Sequence, residues 1–211
     1  MELRRADIGF GSVTIDDRGV ARRGLIRSRR IAFDAIAEYR LELVWHSTEA
    51  ELRAQLFGPL APVLAARGRN GQRDVWAGVE LVGGGPPIAF NWRFKDATAA
   101  IATIVRTVHP RLLANARFAL DRDGHVSFGP LGLWRDGVRW AQEATLPAAR
   151  VEAIELFDGG AVELRVMERD RVRPFGRVNL EEIPNALVAL AIAEQLGYAI
   201  TGRELLGEIT P

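Results

Sequence analysis

The chain has 211 residues, 48% hydrophobic and 26% charged, enough for one large domain or two of about 100 residues. Its formal net charge is +1, so no global field favours nucleic acid and any electrostatic function must be local. It contains no cysteine, which excludes disulfides, thiol nucleophiles and Cys-ligated zinc together and fits a reducing compartment.

The opening Met1-Glu2-Leu3-Arg4-Arg5-Ala6-Asp7-Ile8-Gly9-Phe10 lacks the apolar centre of a secretion signal. No apolar run approaches the ~18 residues of a membrane span, so a cytoplasmic protein is expected, with the inner membrane as a peripheral surface. Ser12-Val13-Thr14-Ile15 alternates as a strand and ends at Asp16-Asp17-Arg18-Gly19, a turn with glycine available for positive φ. Val20 to Ile26 returns, and Arg30-Ile31-Ala32-Phe33 makes a third short strand. Ile36 to Trp45 alternates best, with Tyr39, Leu41, Leu43 and Trp45 on one face and Arg40 and Glu42 on the other.

A change of character follows. Thr48 and Glu51 have capping-box spacing, and Leu52, Leu56 and Phe57 recur at helical intervals. Gly58-Pro59 breaks that helix before Leu60, Val63 and Leu64, so a helical insertion is predicted over about 47–73. Strands resume at Val75–Val82 and Ile88–Phe94 around Gly83-Gly84-Gly85-Pro86-Pro87. A helix from Asp96 carries Ala97, Ile101, Ile104, Val105 and Val108 on one stripe and is limited by Pro110.

The events then recur. Phe118-Ala119-Leu120 leads as a strand into Asp121-Arg122-Asp123-Gly124, like the first turn. Leu133 to Trp140 is a hairpin with Asp136-Gly137 at its tip, and Val151–Phe157 and Ala161–Met167 flank Asp158-Gly159-Gly160. Val172–Leu180 is the last strand. The closing helix, 181–197, has Ile183, Leu187, Leu190 and Ala191 as its stripe and Gly197 as C-cap. Two strand-rich units, each closed by a helix, predict a duplicated mainly-β α+β protein with domains at 1–113 and 114–211.

The second half, from Ala116 to Tyr198, resembles bacterial pleckstrin-homology-like domains of unassigned function. The resemblance rests on Asp121-Arg122-Asp123-Gly124, on Leu146-Pro147-Ala148-Ala149-Arg150-Val151 leading into a middle strand, and on Ile183-Pro184-Asn185 opening the last helix. The first half shares the strand order, with Phe33-Asp34-Ala35-Ile36 at the same lead-in, but lacks the Ile-Pro-Asn opening and carries the insertion. The resemblance implies tandem bent antiparallel sandwiches, each plugged by its helix, and binding of lipid headgroups, peptides or proteins. These motifs are structural and carry no functional residue across.

No catalytic constellation is expected, nor a cofactor or metal. His46, His109 and His125 stand apart, without metal-ligand spacing, and read as surface or capping groups. Ser12, Ser28, Ser47 and Ser127 sit in no nucleophile elbow. Asp121 and Asp123 start like a calcium loop, but Val126 and Gly132 stand where it requires Gly and Glu. Asp158, Glu163, Glu168 and Asp170, interleaved with Arg165, Arg169 and Arg171, read as a solvated, cross-strand-paired face.

Two features remain as candidate sites. Arg18, Arg22, Arg23, Arg27, Arg29 and Arg30 form a run without acids, either a solvated face or a surface for lipid headgroups and other anions. Leu52, Leu56, Phe57 and Leu60 make an apolar surface for a partner protein or self-association, with packing inside the chain as the alternative. The expected function is a non-enzymatic module for protein or peripheral-membrane contact, without nucleic acid. The alternative is a carrier of a small hydrophobic ligand or lipid, in a pocket lined by Trp92, Trp134, Trp140 and Phe157.

Overall fold

The computed structural model describes residues 1–4, 11–24, 28–47, 73–141 and 145–210, with side chains except at 2–4, 45–47 and 73–75. The apolar insertion surface at Leu52, Leu56, Phe57 and Leu60 therefore lies outside the described residues, as does Arg27.

The molecule is α+β and mainly strands. The first half begins with a four-stranded antiparallel meander: β1 (Glu2–Arg4), β2 (Ser12–Asp16), β3 (Gly19–Arg23) and β4 (Ser28–Ile31). A single 3-10 turn, Phe33–Ala35, leads into β5 (Glu38–Ser47), β6 (Arg73–Gly83) and β7 (Gly85–Asn91). Helix α1 (Ala97–Asp123) follows. The second half repeats this order. β8 (His125–Phe128), β9 (Leu131–Trp134), β10 (Gly137–Trp140) and β11 (Leu146–Pro147) form a second four-stranded sheet. A 3-10 turn at Ala148–Arg150 precedes β12 (Val151–Gly159), β13 (Ala161–Glu168) and β14 (Gly176–Asn179), and helix α2 (Ala186–Gln195) closes the series. The tail adds β15 (Ile200–Thr201), parallel to β12.

Alternation decides which side of each strand is buried. Tyr39, Leu41 and Leu43 are buried on β5, and Ala77, Val79 and Leu81 on the paired β6. On β13, Val162, Leu164 and Val166 do the same. Two turn glycines occupy matching places in the two meanders. A Cβ on Gly19 would collide with the Ile31 carbonyl at the end of β4, and one on Gly137 with the Leu146 carbonyl of β11. Gly137, and not Gly124, is thus the counterpart of Gly19.

Helix α1 departs from expectation. It continues through Pro110 to Asp123, so Phe118–Leu120 is helical, and the boundary expected between 113 and 114 falls inside it. Proline removes one helical hydrogen bond at a cost of ~3 kcal/mol. Burial of Val108, Leu112, Ala116 and Leu120, spaced by one helical turn, offsets it. Arg111, next to the proline, donates to the carbonyls of Phe33 and Ile36 and so ties the helix to the first 3-10 turn. Gly124 is the helix C-cap, at φ 74°. The extension also leaves His109 in mid-helix and 8% exposed, buried rather than capping; burial, then the Arg117 charge, lowers its pKa.

The halves share one hydrophobic core. Ala161 of β13 pairs with Val44 of β5, producing a seven-stranded sheet in the order β15-β12-β13-β5-β6-β7, with β14 beside β13. The Ile-Pro-Asn opening of α2 completes the junction. The Asn185 amide donates to the Tyr39 carbonyl at 2.8 Å, and its side-chain oxygen accepts from the Tyr39 amide at 3.0 Å. Its side-chain nitrogen donates to Ala37 at 3.3 Å. One residue, at φ 53°, thereby supplies the partners that an extra strand would offer β5.

Candidate functional site

The face of β5–β7 turned away from the core forms the floor of a groove of about 680 Å³. Strand register places its groups. Arg40, Glu80 and Ala89 form one cross-strand row, and Glu42, Gly78 and Asn91 the next. At Gly78 the bare backbone leaves room for Glu42 to lie across β6: a Cβ there would lie 2.8 Å from a Glu42 carboxylate oxygen. Arg22 of β3 borders the groove, and Glu181 and Glu182 of the second half reach it from the 3-10 turn Leu180–Glu182, packed on β5. Both halves therefore build it.

The electrostatics are uneven. Arg40 is held by Glu38 at 2.6 Å, and Arg22 donates to the Ala89 carbonyl at 2.6 Å. Glu42, Glu80, Glu181 and Glu182 have no salt bridge among the described residues. Burial, and after it the Glu181 charge, pushes the Glu42 carboxyl above its ordinary value. Arg93 is the cation left beside these acids. Spacing within one strand could not reveal this groove, because its second wall comes from a segment about 140 residues downstream.

The arginine run folds largely onto its own half. Arg22 and Arg29 stand opposite each other on β3 and β4 and cap successive outward carbonyls of edge strand β7, at Ala89 and at Pro87 (3.2 Å for the latter). Arg30 pairs with Asp16, while the Arg18 amide donates to the same carboxylate at 2.9 Å. Arg30 is the first cause of the lowered Asp16 pKa. Arg23 is exposed on β3.

The aromatic residues proposed as one pocket have separate neighbours. Trp92 stacks on Trp76 at 5.6 Å and Trp134 on His125 at 4.8 Å. Phe157 lies 3.3 Å from the Arg165 guanidinium carbon, and Trp140 lies flat against Gly176. Glu168, expected on a solvated face, is 2% exposed and takes Arg150 and Arg171 together; burying a carboxylate needs such pairing. Arg165 does pair with Glu163, at 2.8 Å.

Among the described residues no group of three or more His, Asp or Glu is placed to hold a metal ion. Nor is any helix among them long and apolar enough to cross a membrane. The chain matches no protein-family model, and comparison with curated proteins returns no match.

Proposed function

We propose that the chain is a non-enzymatic binding module of two tandem pleckstrin-homology-like copies, working in the cytoplasm in contact with a protein or a peripheral membrane surface. The recurrence of four strands, a 3-10 turn, three strands and a helix supports the tandem reading. The observation that carries the binding role is the β5–β7 groove. Its carboxylates Glu42, Glu80, Glu181 and Glu182 outnumber its uncommitted cation Arg93, on an open, rigid sheet floor. Such a surface suits a basic segment of a partner protein, since complementary charge sets on-rate and selectivity.

Reversing Glu80 and Glu181 together (E80K/E181K) tests this. Both are surface groups, so the melting temperature is expected to stay within a few degrees. Capture of a basic partner from the native host by the wild type, and its loss in the variant, is the expected result. Equal capture by both proteins would overturn the assignment of the groove.

A further inference from the structure

We propose that the loop joining β13 to β14, residues 169–175, docks on an anionic phospholipid bilayer, its arginines meeting headgroups and Val172 entering beneath them. This rests on the binding-module reading and names one partner for it, at a face separate from the acidic groove.

The loop is held at both ends. The Arg169 amide donates to the Arg150 carbonyl at 2.8 Å, and the Phe175 amide to Val166 at 2.8 Å. Asp170 turns the chain at φ 63°. At the tip, Val172 is 98% exposed, so within this chain its apolar surface contributes nothing to folding. Its neighbours in sequence are Arg171 and Arg173.

The charge around it is positive. Glu168 at the base is buried and already paired with Arg150 and Arg171, which leaves Asp170 as the loop's one exposed acid. Arg173 and Arg177 line a groove of about 480 Å³ together with Trp140, Pro174, Phe175 and Gly176. Neither makes an ion pair among the described residues. The groove wall is firm, because the Trp140 indole occupies the space a Cβ on Gly176 would need.

Guanidinium groups bind phosphate oxygens through two parallel hydrogen bonds, so Arg173 and Arg177 suit a phosphate diester. A soluble anion would satisfy them but would leave Val172 in water. A bilayer accounts for both, since the valine reaches the acyl boundary while the arginine stems extend their charges to headgroup level.

Sedimentation with phosphatidylcholine vesicles, with and without phosphatidylglycerol, tests the proposal on the full chain. Binding is expected only with phosphatidylglycerol, and it should weaken steeply as salt rises. The double variant R173Q/R177Q is expected to lower vesicle affinity on the order of tenfold. V172D should lower it several-fold without changing the melting temperature. Three results would overturn the proposal: no binding to phosphatidylglycerol vesicles at low salt, binding unchanged in R173Q/R177Q, or binding unchanged in V172D. Glycerol phosphate binding without vesicle binding would also overturn it, in favour of a free anion. E80K/E181K should bind vesicles like the wild type. If vesicle binding fails while that variant still loses its protein partner, the module reading stands and only the membrane face falls.

Discussion

The two halves run through the same order of elements but use their arginines differently. In the first, Arg22 and Arg29 cap the outer edge of β7, Arg30 pairs with Asp16, and Arg111 closes the 3-10 turn against α1. In the second, Arg173 and Arg177 face a groove without acids among the described residues. The difference follows from one connection. The first half turns from its second to its third long strand within Gly83–Gly85, whereas the second half uses the loop 169–175. A tight glycine turn keeps β7 alongside β6 and presents its edge to the meander's arginines. A longer loop carries its cations away from the sheet. Equivalent frames thus leave one half engaged with itself and give the other a charged surface.

The correspondence can be broken most severely at the turn glycines. Gly19→Ala is expected to cost about 2–4 kcal/mol, through collision with the Ile31 carbonyl and a side chain at φ 132°. Gly137→Ala, with the collision alone, is expected to cost about 1–3 kcal/mol. Urea midpoints would measure both, and a silent Gly137→Ala would refute the equivalence of the two turns.

Next comes the junction. Asn185→Ala removes the side-chain bonds to Tyr39 of β5 and to Ala37 just before it and strands the Tyr39 amide, for about 1–3 kcal/mol. Because the bonds cross between halves, hydrogen exchange should quicken at Tyr39 as well as around α2. Faster exchange confined to α2 would mean that the halves open independently.

The smallest effect is expected at Glu42. Its folded carboxyl holds its proton more tightly than the unfolded one, so stability from this group is full below about pH 4.3 and is lost as pH rises through the raised folded value. Glu42→Gln should therefore be more stable than the wild type at pH 7, by a margin that solvent screening keeps small, and no different at pH 3. Thermal unfolding at the two pH values measures this. A variant less stable than the wild type at pH 7 would mean that Glu42 has a cationic partner instead of a competing acid.

Much of the β framework was legible in sequence, because alternation and Gly-rich turns act locally. The β5 face of Tyr39, Leu41 and Leu43, the Asp136-Gly137 hairpin and the Gly83–Gly85 turn follow from their own residues. The course of α1 did not. Pro110 is a local stop signal, and the tertiary burial of Leu112, Ala116 and Leu120 that overrides it has no local signature. For the same reason the local pattern of Phe118-Ala119-Leu120 predicts a strand and that of Asp121–Gly124 a hairpin turn, where the helix runs on to its cap at Gly124. The acidic groove was invisible, since Glu42 and Glu181 come together only through the docking of one half on the other. The expected pairing of Arg165, Arg169 and Arg171 with neighbouring acids holds for Arg165 and Arg171, whereas Arg173 and Arg177 carry no pattern in the sequence that marks them as groove residues.

The Asn185 bracket has a consequence for how the chain is made. Tyr39 and its partner are 146 positions apart, so that whole intervening stretch must leave the ribosome before that edge of β5 is closed. Until then the N-terminal half presents an unpaired strand edge with Tyr39 behind it, a surface prone to pairing with other nascent chains. Translation that stalls between the two halves would release an aggregation-prone fragment, and the Asn185 opening of α2 is what protects the first long strand.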